Sequence, residues 1–115
     1  MQAYRATCRR RDDMERRRQQ ETRQAGMAAA RRVAAHLGET FRPERIVLFG
    51  SLAREEVLSP HSALDLAVEG LSPDEYFRAV AQAQRVAGEW TVDLVRCEQC
   101  ASSLRIRIDT EGRPL

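Results

Sequence analysis

Apolar residues are sparse over the first quarter of the chain and gather into short runs afterwards. Residues 9 to 37 contain no Pro and a single Gly, Gly26, and are mainly Arg, Gln, Glu and Ala, all good helix formers apart from the Gly. The pattern predicts one long helix, or two nearly continuous ones, ending at the Leu37-Gly38 pair. From Arg9 to Gln24 the only large apolar residue is Met14. That half has no stripe to bury, so it projects, frays or meets a partner. Met27, Val33, Ala34 and Leu37 are spaced to seat the second half on a domain.

Beyond Pro43 the periodicity changes. Arg45 to Phe49 is a short apolar run closed by Gly50, which predicts a buried strand. A second run, Ala63 to Val68, follows a polar turn around Ser59-Pro60-His61-Ser62. From Ser72 to Gly88 the pattern is helical, with Ser72 as cap, Pro73 at the first position and Asp74 and Glu75 in the first turn. Tyr76, Val80, Ala83 and Ala87 are its expected inner stripe. Trp90 to Val95 reads as a third strand, Glu98 to Ile108 as a short last helix, and Glu111 to Leu115 as a tail. This order predicts an α/β fold: a small mixed β-sheet covered by helices, with a long Arg-rich N-terminal helix. The expected division is an N-terminal extension over 1–32 and a folded domain over 33–115.

Charge sharpens this division. Ten Arg face four acids in residues 1–32, whereas nine Arg face thirteen acids in the rest, so a +6 arm precedes a −4 body. Such an arm suits an acidic surface, of a partner or of a second copy in a homo-oligomer. Interspersed Asp and Glu, and the absence of aromatic interleaving, argue against nucleic acid. All 19 basic residues are Arg, a bias that fits base composition better than selection for guanidinium chemistry. No run approaches the roughly 20 apolar residues of a membrane helix, and no apolar secretory region follows Met1, so a cytoplasmic location is expected. Cys97 and Cys100 have C-x-x-C spacing, yet one pair with distant Cys8 completes neither a zinc site nor a disulfide scaffold. His36 and His61 are expected at a helix end and in a loop, and Trp90 in the core.

Chemistry concentrates in two segments. Leu48 to Arg54 carries a strand into Gly50-Ser51, whose backbone N–H groups and Ser51 hydroxyl suit a triphosphate. In Ser62 to Val68, Leu64, Leu66 and Val68 point to a core. Ala63, Asp65 and Ala67 share the other side. Asp65 is therefore an acid on a strand built for burial, and Asp93 repeats the anomaly on the third strand. Two acids in apolar strands are costly unless paired, solvated or bound to a cation, and a shared divalent metal explains both.

Gly50-Ser51-Leu52-Ala53-Arg54-Glu55, Ser62-Ala63-Leu64-Asp65-Leu66 and Asp93 together resemble the minimal nucleotidyltransferase family of the DNA polymerase beta-like superfamily, over roughly residues 30 to 110. The family pattern is G-S-x-A-R-G, then S-D-x-D-L, then a third Asp. The resemblance implies Mg²⁺-dependent transfer of a nucleoside monophosphate, usually AMP from ATP, with two ions about 3.5–4 Å apart. It assigns nucleotide binding to Gly50 and Ser51, with Arg54 as a weaker candidate. Asp65 and Asp93 are assigned to metal and catalysis, Asp93 with a further part in activating the acceptor. It also implies an antitoxin acting on a HEPN-type ribonuclease toxin. Two departures stand out: Ala63 replaces the first Asp of the D-x-D pair, which bridges both metals in the family, and Glu55 replaces a Gly. Ala63, by natural loss or deliberate replacement, implies impaired catalysis. The alternative is an inactive binding module that neutralises its partner by contact.

Overall fold

The computed structural model describes residues 2–59 and 61–115, excluding the side chains of residues 2–7; Pro60 of the expected turn lies outside them. The first element, α1, runs unbroken over Gln2–Phe41 and accounts for the molecule's 62 Å length. It passes the expected stop at Gly38 because Phe41 packs against the core, which offsets the cost of one helical Gly. The helix ends instead at Arg42, whose φ of 51° is left-handed and whose N–H bonds the Gly38 carbonyl at 3.2 Å. Pro43 then prevents continuation.

The sheet contains β1 (Arg45–Phe49), β2 (Leu64–Glu69), β3 (Val92–Arg96) and β4 (Arg113–Pro114), in the spatial order β3-β2-β1-β4. β2 runs parallel to β3 and antiparallel to β1, so the sheet is mixed as expected. A short helix, α2 (Gly50–Ala53), leaves β1, and α3 (Pro73–Ala87) crosses from β2 to β3. Ser72 caps α3 as expected, its hydroxyl accepting from the Glu75 N–H, and Glu75 in turn accepts from the Ser72 N–H, which makes the cap reciprocal.

One face of the sheet packs Ile46, Leu48, Leu64, Leu66, Val68 and Leu94 under α1 and α3. The opposite face packs Val47, Phe49 and Ala67 against Cys97 and Ile108, the latter from α4 (Ser102–Glu111). In α3 the inner stripe is Ala79, Ala83 and Ala87 beside half-buried Tyr76. Val80, expected inside, is 37% exposed, because the buried stripe runs through its neighbour Ala79, which is fully buried. The last helix starts later than expected because a 3-10 turn over Cys97–Gln99 comes first. The expected tail is an edge strand: Val47 pairs with Pro114, and Leu115 N–H bonds the Ile46 carbonyl at 3.0 Å. Gly112 permits this, since a Cβ there would overlap Val47 and the Ile108 carbonyl.

The basic half of α1 is tied down by polar side chains. Gln19 exchanges two 2.8 Å hydrogen bonds with the Leu58 backbone. The Arg23 guanidinium donates to the carbonyls of Leu52 at 2.8 Å and Glu56 at 2.5 Å. Residues 9–18 are exposed. Among the described residues no helix is long and apolar enough to cross a membrane.

Leu37 is fully buried and Met14 is 61% exposed. Leu37→Ala should lower the unfolding free energy by about 3 kcal/mol, and Met14→Ala by less than about 0.5 kcal/mol. Urea unfolding checks both; comparable losses would mean that Met14 is buried by self-association.

Candidate active site

The candidate residues meet at one end of the sheet. Phe49 is the register partner of Asp65, and Asp65 of Asp93, so the end of β1 and the starts of β2 and β3 lie side by side. In register on parallel neighbours, about 4.8 Å apart, the two aspartates point to the same face. Asp65 is half-buried and Asp93 exposed.

Gly50 makes the close approach possible. Its φ is 76°, a left-handed conformation that L side chains avoid, and a Cβ there would overlap the Asp65 carboxylate. The Asp65 side chain thus rests on the backbone where β1 becomes α2, with half-buried Ser51 next in line. Burial, and then the charge of Asp93, push the Asp65 carboxyl above its ordinary value; Arg54 and Arg107 pull it back. Arg107, on α4, was not singled out from the sequence, where it is one Arg among nineteen with no motif around it.

Arg54 is committed elsewhere. Its guanidinium pairs with Glu56 at 2.6 Å and with Glu111 at 3.1 Å, which raises its pKa further and ties α2 to α4. It sits near Asp65 as a background charge without contacting it. Glu55, at the family's Gly position, has a φ of 59° and reaches Arg113 at 3.3 Å. A Gly there would adopt the same backbone without strain, so the departure costs local energy while leaving the turn intact.

Ala63 lies one residue ahead of β2, whose first N–H, that of Leu64, bonds the Thr91 carbonyl at 2.8 Å. Its methyl stands where the motif would supply a further acid. Among the described residues no three His, Cys, Asp or Glu side chains form a group able to hold a metal ion. Asp65 and Asp93 can supply two carboxylate oxygens to one hard divalent cation, whose remaining positions water or phosphate would fill. The donor set fits one such ion but lacks the acid needed to bridge two.

The remaining candidates have structural roles. Cys97 is buried, with its thiol pushed up mainly by that burial, and the Cys100 thiol donates to the Arg96 carbonyl at 3.3 Å. His36 Nε2 is 2.6 Å from Gln82 Oε1, linking α1 to α3, and His61 lies in the exposed loop. Trp90 packs at the edge of the main core, over Gly26.

A carboxyl whose folded pKa is raised binds its proton more tightly folded than unfolded. Asp65 therefore weakens the fold as pH rises from the ordinary carboxyl range through its folded pKa. Asp65→Asn should raise Tm at pH 7, and the gain should vanish below about pH 3.5, where both states are protonated. Thermal melts across pH test this; a pH-independent gain would remove the carboxylate repulsion from the account.

No protein-family model matches the sequence, and no curated protein matches it. Solved structures do. A toxin–antitoxin with AMP-PNP aligns with a TM-score of 0.62 at 20% identity, over 74% of this chain and 70% of that one. A mutant of the toxin–antitoxin MntA-HpeT aligns with a TM-score of 0.59 at 19% identity over the same shares. A structure described as a minimal nucleotidyltransferase is 28% identical, with a TM-score of 0.54 over 84% of this chain and 91% of that one. The chain has the nucleotidyltransferase fold of the minimal nucleotidyltransferase type, shared with proteins of toxin–antitoxin structures.

Proposed function

We propose that this chain is the antitoxin-like member of a cytoplasmic protein pair, and that its site transfers AMP from ATP to a hydroxyl of the partner at a rate lowered by Ala63. The observation that carries the reading is the register of Asp65 and Asp93 beside Gly50, whose left-handed backbone lies against the Asp65 carboxylate. Gly50 and Ser51 offer donors to the triphosphate, and Asp65 and Asp93 hold Mg²⁺. The ion supplies charge neutralisation for the phosphates. The acceptor oxygen forms a bond to the α-phosphorus as the bond to the bridging oxygen breaks; pyrophosphate leaves, and Asp93 receives the hydroxyl proton.

The acceptor in this proposal is a HEPN-type ribonuclease, the partner that the motif resemblance implies. Support for a protein partner comes from the toxin–antitoxin structures that share the fold. Ala63 favours a second reading, in which this chain silences its partner by contact alone. With two acids in place of three, nucleotide binding could persist while transfer falls away.

Intact-mass analysis of a co-expressed partner, incubated with ATP and Mg²⁺, separates the two. Ala63→Asp should add one or more AMP units where the present chain adds few or none, and a further Asp65→Ala should abolish the addition. If neither the present chain nor Ala63→Asp adds mass although the partner stays bound and silenced, the contact reading replaces the enzymatic one.

A further inference from the structure

A cleft of about 440 Å³ lies at the same end of the sheet as the candidate site, against α1, and contains none of Gly50, Ser51, Asp65 or Asp93. Its walls are α1, the loop before β2 and the turn before β3. Trp90 and Ala25 supply apolar surface, Ser62 and Thr91 supply hydroxyls, and Glu21 and Glu89 supply charge. Among the described residues that line it none is basic. Among the described residues Glu21 and Glu89 make no ion pair. The closest Arg along α1, Arg23, is turned to the carbonyls of Leu52 and Glu56.

The wall is held in place before any ligand arrives. Gln84 donates to the Trp90 carbonyl at 2.7 Å and accepts from the Val92 N–H at 3.0 Å, fixing the turn that carries the indole. Trp90 also packs over Gly26, where a Cβ would approach its ring to 3.1 Å. An aromatic ring in a cleft whose charged lining is two carboxylates repels phosphate and attracts a flat cation, which can stack on the ring while donating to a carboxylate.

We propose that this cleft seats an arginine side chain of the protein partner. Resting on the partner reading above, the proposal adds how that partner is aligned. Ser62 adjoins Ala63, and Thr91 lies two residues before Asp93. A guanidinium anchored here would therefore sit at the same end of the sheet as the aspartates, on the α1 side of it. The cleft sets the register of the acceptor segment, and the aspartates serve the hydroxyl.

Trp90 is the only tryptophan, so its fluorescence reports the cleft directly. The probe is acetyl-Gly-Arg-Gly-amide, compared at low salt with the citrulline peptide, which keeps the shape and loses the charge. The arginine peptide should give a saturable change that the citrulline peptide lacks. Each of Glu21→Gln and Glu89→Gln, both at exposed positions and checked for folding by circular dichroism, should weaken binding about tenfold, the worth of one charge-assisted hydrogen bond. Equal responses to the two peptides, or an unchanged affinity in both variants, would overturn the proposal. So would displacement of the peptide by ATP, which would give the cleft to the nucleotide. A signal that depends only on protein concentration would give it to the Arg-rich helix of a second copy. No nucleotide transfer is measured, so failure here leaves the AMP-transfer reading standing, and failure of transfer leaves this one.

Discussion

Two like charges held side by side on parallel strands constrain everything at the working end of this molecule. Asp65 and Asp93 share a register position, and the carboxylate of the first lies against the backbone of Gly50. Any side chain at position 50 would displace it. The left-handed turn into α2 is what leaves room for that carboxylate. Arg54 and Arg107 lower the electrostatic cost from a distance without neutralising it, because Arg54 spends its guanidinium on Glu56 and Glu111.

Periodicity revealed the sheet because apolar runs bounded by Gly and Pro leave few other solutions, and β1 and the α3 cap appeared where the pattern put them. The aspartates were legible as anomalies, acids on strands otherwise built for burial. Contacts distant in sequence were not legible. The end of α1 depends on Phe41 meeting the core, and the edge strand β4 depends on Gly112 passing under Val47. The proximity of Arg107 to Asp65 arises only when α4 folds over the sheet, and nothing in its own neighbourhood announces it.

The basic helix shows the same limit in another form. Its hydrophobic pattern describes a segment with nothing to bury, which is accurate for residues 9–18. Hydrophobic pattern does not register Gln19 and Arg23, whose side chains bond backbone groups of the segment between α2 and β2. The helix therefore leaves the body at about Gln19, and the body's acid-walled cleft opens at Glu21 to Ala25, just inside that point. Positive arm and negative cleft are neighbours on one helix, and the straightness of α1 prevents the arm from folding back to fill the cleft.

Ala63 makes the surviving aspartates informative. A fold retained only as a docking surface gains nothing from a half-buried carboxylate beside a second one, and Asn at position 65 would remove the repulsion while keeping the shape. The pair makes physical sense where a cation or a partner's positive group offsets it for part of the working cycle. On the proposed reading, Ala in place of a bridging acid would lower the negative charge available to a metal, so one ion would be held less firmly and a second would have no shared ligand. On the proposed reading the site would keep its groups for the nucleotide and the acceptor while losing much of the rate, which is the balance a complex needs if it is to persist with its nucleotide bound.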